Sequence, residues 1–167
     1  GTLWLGTYFG GVNYFNPEYE IYTRYSYSSN EKKGLSNPVV GRTIEDKDGN
    51  LWIGTEGGGL NYYNRRTREF KWYRPQEGRN SISHNNVKAL YYDADKEIIW
   101  IGTHLGGLNK LDIRSGHFTH YRMEEGNPAT LPSDIIRDII PYKSLLIVAT
   151  QNGVCLFNPA NGQCQQL

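Results

Sequence analysis

The sequence predicts an all-β chain built from about four copies of one four-stranded antiparallel unit, and three observations predict it. A string recurs: "LWLGTYFGGVNYF" at 3–15, "LWIGTEGGGLNYY" at 51–63, "IWIGTHLGGLNKL" at 99–111, and a decayed copy, "LIVATQNGVCLF", at 146–157. The spacing is nearly constant: Thr7, Thr55 and Thr103 stand 48 residues apart and Thr150 follows after 47, the mark of a repeat architecture. The segments within each unit are short, rich in β-branched and aromatic residues and bounded by Gly and Asn, with no apolar spacing of 3.6.

The elements of the unit follow in order. Its first strand is "VVGRTIED" (39–46), "KALYYD" (88–93) or "IIRDIIPY" (135–142). The recurring string supplies the second and third, as in "LWIGT" and "GLNYYN". The fourth is "REFKWY" (68–73), matched by "GHFTHY" (116–121), and carries an aromatic column, Tyr22, Phe70 and Phe118, each followed three residues later by a Tyr. Asp48-Gly49 and Asn161-Gly162 sit between strands and supply the positive φ of tight hairpins. "LWIGT" is apolar on both faces, Leu51 and Ile53 on one and Trp52 on the other, as in a sheet covered on both sides. Gly54 and Gly57 to Gly59 then mark close approach of backbones.

Sheets covered on both faces and repeated along the chain stack radially, as the blades of a β-propeller. The whole chain, 1–167, reads as a partial β-propeller with blade units at about 1–25, 39–73, 87–121 and 135–167, the first lacking its first strand. A ring needs about four to eight blades. The start inside a repeat favours a piece of a longer polypeptide, completed by its own remaining blades, over a second copy of this chain sharing the ring.

Composition narrows the function. With 38% hydrophobic residues, four Trp, thirteen Tyr and five Phe, the chain can bury a sizeable core, distributed between blades. Net charge is +1 with Lys and Arg scattered, which offers no stripe for a nucleic-acid backbone. Apolar runs such as "LLIVA" fall far short of the roughly 20 residues of a membrane helix, so direct membrane insertion by this segment is not expected. The "PANG" turn predicts Phe157, not Cys155, opposite Cys164, which argues against a bridge between the two cysteines.

No catalytic constellation is visible. "EGGG" lacks the Gly-Lys-Ser/Thr of a phosphate loop, and "DKDGN" lacks the further acids of a calcium loop and sits on a hairpin. His117 and His120, three apart on a strand, point to opposite faces. Among Glu45, Asp46, Glu56 and Asp138 no pair stands out as acid and base. The expectation is a non-enzyme with no metal and no cofactor.

What varies against the constant framework is the loops. After the repeated Thr the tips read Tyr8-Phe9, Glu56-Gly57, His104-Leu105 and Gln151, while three thirteen-residue connections (26–38, 74–86, 122–134) end in small polar residues beside the presumed axis. Their equal length points first to a structural role. A constant framework with variable tips is also how a scaffold carries a binding site. Aromatic faces stack on sugars, and amides hydrogen-bond hydroxyls. The ligand-binding candidates are thus Tyr8, Phe9, Asn37, Glu56, His84, Asn85, Asn86 and His104, with an oligosaccharide as the expected ligand.

The unit "DKDGNLWIGT…GGLN", with Val40 before it and Phe70 and Tyr73 after it, resembles the two-component regulator propeller repeat. Residues 87–121 match nearly as well, and the last unit departs, with Ile147 for Trp, Ala149 for Gly and Cys155 for Asn. Kelch repeats place the Trp after the double Gly, whereas Trp52 precedes Gly58. The resemblance implies rings of about seven blades in the periplasmic sensor half of membrane-spanning hybrid histidine kinases, many of which control polysaccharide utilisation in response to oligosaccharides. It implies a ligand-sensing fragment whose kinase lies outside this chain. The alternatives are a protein-interaction or dimerisation propeller without its own ligand, and a fragment of a propeller polysaccharide lyase or hydrolase.

Overall fold

In the computed structural model the described residues are 3–7, 9–16 and 21–167. They form four antiparallel sheets, each a meander whose strand order in space is its order in sequence. Blade 1 has three strands, β1 (Leu3–Thr7), β2 (Gly11–Asn16) and β3 (Ile21–Tyr25). Blade 2 comprises β4 (Val40–Glu45), β5 (Leu51–Thr55), β6 (Gly59–Asn64) and β7 (Glu69–Tyr73). Blade 3 comprises β8 (Val87–Asp93), β9 (Ile98–Thr103), β10 (Leu108–Asp112) and β11 (Phe118–Tyr121). Blade 4 comprises β12 (Ile136–Tyr142), β13 (Leu145–Thr150), β14 (Gly153–Phe157) and β15 (Cys164–Gln166). One 3-10 turn, Glu31–Lys33, lies between blades 1 and 2. The chain is an all-β propeller array. β7 and β11 start later than the sequence suggested because Arg68 and Gly116 take positive φ in the preceding turns.

The core sits between blades. Trp52 and Leu60 of blade 2 pack on Ile99, Ile101, Leu111 and Phe118 of blade 3, and Trp100 and Leu108 of blade 3 pack on Ile136, Val148 and Phe157 of blade 4. Leu51 and Ile53, on the opposite face of β5 from Trp52, join Val12, Tyr63 and Phe70 against blade 1. An aromatic seam repeats at each junction. Trp52 stacks on Tyr73, which meets Phe118 of the next blade edge-on, and Trp4, Tyr25 and Phe70 repeat this one blade earlier. Near the axis the inner strands nearly touch: a Cβ on Gly54 would stand 2.5 Å from Val87 Cγ1, so only Gly fits.

The repeated Thr closes its own turn. Thr7, Thr55, Thr103 and Thr150 each donate from Oγ1 to the carbonyl of the Gly that opens, or in blade 3 immediately precedes, the next strand, at 2.9–3.0 Å. A buried clamp holds the incoming connection in blades 2 and 3. Asn61 Oδ1 accepts from the Ser36 backbone N–H at 2.7 Å and its Nδ2 donates to Ser36 Oγ at 2.8 Å; Asn109 and Ser83 repeat both bonds at 2.9 and 2.8 Å. Asp46, the first acid of "DKDGN", holds its own hairpin. It accepts from the backbone of Asp48 and Asn50 and, at 3.1 Å, from Trp52 Nε1.

Blade 1 has no fourth strand among the described residues. Leu3 and Leu5 are 51% and 46% exposed, whereas their counterparts Leu51 and Ile53 are fully buried, and Trp4 Nε1 is buried without the acceptor that Asp46 gives Trp52.

Two predictions follow from the packing. Asn61→Ala strands the Ser36 N–H and should lower unfolding free energy by about 2 kcal/mol in urea titration, an unmet buried donor costing more than a lost hydrogen bond alone. Replacing residues 1–2 with a copy of 39–50 supplies β1 with an inner partner strand and an Asp for Trp4. The thermal midpoint should rise and dye binding to exposed apolar surface should fall; an unchanged midpoint would show that this edge is not the weak point of the array.

Candidate functional site

The rim candidates stand where hydrogen bonds tie each connection to its own blade and to the blade before it. Glu56, His104 and Gln151 each donate a backbone N–H to the residue before the inner strand, Val39, Asn86 and Ile135, at 2.9–3.0 Å. The Asn85 carbonyl accepts from Gly57 and Gly59 of blade 2 at 3.3 and 2.7 Å, and the Asp134 carbonyl accepts from Gly107 of blade 3 at 2.9 Å. Each connection also caps its own last turn. Asn37 Oδ1, His84 Nδ1 and Ser133 Oγ accept from the N–H two residues on, at 2.8, 3.1 and 3.1 Å.

Asn37, Glu56, His84, Asn85, Asn86 and His104 therefore gather on one rim around blades 2 and 3, and part of their hydrogen-bonding capacity holds the scaffold. Phe9 is 70% exposed on the equivalent turn of blade 1. Tyr8 lies outside the described residues. Glu56 is ion-paired with Lys88 of the next blade's inner strand, and its backbone bridges to Asn86. Lys88 went unnoticed in the sequence because its partner lies in a different unit, and comparison within one repeat does not reveal that contact. His84 and His104 stand ring to ring at 6.5 Å. His104 Nδ1 is buried with no hydrogen-bond partner among the described residues, so one polar atom of the rim has nothing in the scaffold to satisfy it.

Burial lowers the pKa of His84, and His104 and Arg122 push it the same way. Among the described residues no group of three or more His, Cys, Asp or Glu is placed to hold a metal. His120 Nε2 meets the Ser81 carbonyl at 2.8 Å, and His117 precedes β11 rather than lying on it, so these two form no site.

Two clefts lie away from the rim. One, of about 470 Å³, is walled by Trp4, Tyr14, Tyr25, Tyr63 and Phe70 with Arg65, whose guanidinium lies 5.2 Å from the Trp4 ring. The aromatic column was its signal in the sequence. Arg65 lines it at the position that Ile113 takes against the core of the next junction. The other, of about 630 Å³, lies between Met123–Pro132 and Gln166.

Residues 34–57 and 81–104 match the model of the family described as two component regulator propeller. Two of its four units are thus similar to the two-component regulator propeller repeat. These stretches run from the clamp Ser36 or Ser83 through the first two strands of the blade to the post-Thr tip, and so include most of the rim. Over its whole length the chain is 26% identical to part of the extracellular domain of the hybrid two-component system BT3049 from B. thetaiotaomicron, with a TM-score of 0.84. It covers 23% of that domain. The extracellular domain of the hybrid two-component system BT4673 from the same organism gives 25% identity and a TM-score of 0.76 over all of this chain and 23% of that one. PorZ, a surface component of the type-IX secretion system of Porphyromonas gingivalis, shares the fold at 20% identity and a TM-score of 0.71, over all of this chain and 26% of PorZ. Comparison with curated protein sequences found no match. The chain spans about a quarter of the length of these structures. No helix among the described residues is long and apolar enough to cross a membrane.

The shifted imidazole gives a prediction with a fixed sign. A folded-state pKa below the unfolded value of 6.5 means that the unfolded chain takes up the proton first as pH falls. Stability is therefore fully present above pH 6.5 and declines as pH drops through the folded pKa of His84. His84→Asn keeps the cap, since Asn37 performs it in blade 2. The variant should lose stability less steeply than the wild type between pH 7 and 5 in thermal melts.

Proposed function

We propose that this chain is part of the extracytoplasmic sensor propeller of a hybrid two-component system, that it helps recognise an oligosaccharide, and that the receptor regulates polysaccharide utilisation. The observation that carries the sensor reading is the whole-chain likeness, at 25–26% identity, to the extracellular domains of two such systems. The ligand reading rests on the rim. His104 offers an unmet nitrogen beside His84, Asn86 brings an amide, and Glu56 and Lys88 a charge pair, while Phe9 presents an aromatic face one blade away. Such a surface hydrogen-bonds hydroxyls and stacks on a pyranose. Signalling would follow from differential affinity for two arrangements of the receptor, passed to a kinase outside this chain. The remaining blades of the receptor are its structural partners; no observation calls for a nucleic acid, a cofactor or catalysis by this segment.

Calorimetry on the intact receptor with a panel of oligosaccharides tests this reading. His104→Ala and Tyr8→Ala should each weaken binding of the recognised sugar by roughly 5- to 30-fold, the loss of one to two kcal/mol of hydrogen bonding or stacking. Full affinity in both variants rules out this rim. Binding of a partner protein with no response to any sugar would instead establish an interaction propeller, and turnover of the panel an enzyme.

A further inference from the structure

Blade 4 departs from the other blades at three matched positions at once. The clamp Ser36 and Ser83 become Pro132, and the clamp Asn61 and Asn109 become Cys155. The core Phe70 and Phe118, paired with Tyr63 and Leu111, become Cys164, paired with Phe157. The expected register is thus present, yet it does not keep the sulfurs apart. Cys155 and Phe157 share one face of β14, and Cys164, opposite Phe157, lies on that same face, so the two cysteines are diagonal neighbours. Their Sγ atoms are 2.9 Å apart, Cys155 fully buried and Cys164 7% exposed. An S–S bond of about 2.05 Å asks the sulfurs to move by less than an ångström. The chain has no other cysteine to compete.

We infer that Cys155 and Cys164 form a disulfide that ties the outer strand β15 to β14, in place of the polar clamp that this blade has lost. β15 has three residues, against five in β7, so the outer edge of blade 4 is held by fewer ladder bonds than that of blade 2. The chemistry is thiol–disulfide exchange. One cysteine thiolate attacks an oxidant disulfide, whose S–S bond breaks to release one thiolate and leave a mixed disulfide; the second cysteine displaces the other half and closes the bridge. The protein loses two electrons and two protons, and the oxidant becomes two thiols. Closure belongs to the folding of blade 4, before both thiols are covered. The oxidant is at hand if the chain lies outside the cytoplasm, so that condition alone rests on the function proposed above.

The test is to refold the reduced chain in a glutathione redox buffer, quench, denature, alkylate and weigh it. The expected result is a monomer lighter by two hydrogens, with no alkylated cysteine and one linked peptide spanning both residues. Its thermal midpoint should fall by roughly 5–10 °C when a reductant is added, and the midpoints of Cys155→Ser and Cys164→Ser should not respond to reductant. Two alkylated cysteines after refolding, or bridges only between chains, overturn the inference. A pair that closes in this buffer but is found reduced in protein taken from cells upholds the bridge and counts against the extracytoplasmic placement instead.

Discussion

No sheet in this chain can bury its own faces, and the rest of the structure depends on that constraint. Trp52 is covered by blade 3 and Trp100 by blade 4, while the reverse faces of β5 and β9 are covered by blades 1 and 2. Stability in such an array is close to a sum over neighbouring pairs. The terms differ along the chain. The junction of blades 2 and 3 has a Ser–Asn clamp on each side, a full aromatic seam and the Lys88–Glu56 pair. Blade 1 shows apolar residues on an open edge, and blade 4 has lost its clamp.

Most of the fold was legible in the sequence because a repeat repeats its physics. Four copies of one string gave the strand order, the two-faced burial of "LWIGT", the Gly approaches and the hairpin at Asp48-Gly49. The role of the repeated Thr was not legible: its bond goes to a backbone carbonyl three or four residues on, and nothing in residue type announces that choice. The closeness of the two sulfurs was not legible for a related reason. Register names the residue directly opposite, while contact between side chains on one face also runs diagonally.

The rim was legible only in part. Variation after Thr55 and Thr103 marked turns that the structure gathers on one rim, and the equal length of the connections pointed to scaffolding. The structure shows the scaffolding, since Asn85 and Asn86 contribute carbonyls to the framework. What set His104 apart, an unmet ring nitrogen, depends on its surroundings in three dimensions and has no trace in spacing.

The cap before each inner strand follows a rule of chemistry rather than of identity. An amide at Asn37, an imidazole at His84 and a hydroxyl at Ser133 accept the same backbone N–H. A position that demands only an acceptor can change its size, its charge and its response to pH without disturbing the strand it starts. A ring of such positions is free to diversify blade by blade, so propellers of one architecture can present different mouths to their surroundings while their blades stay interchangeable.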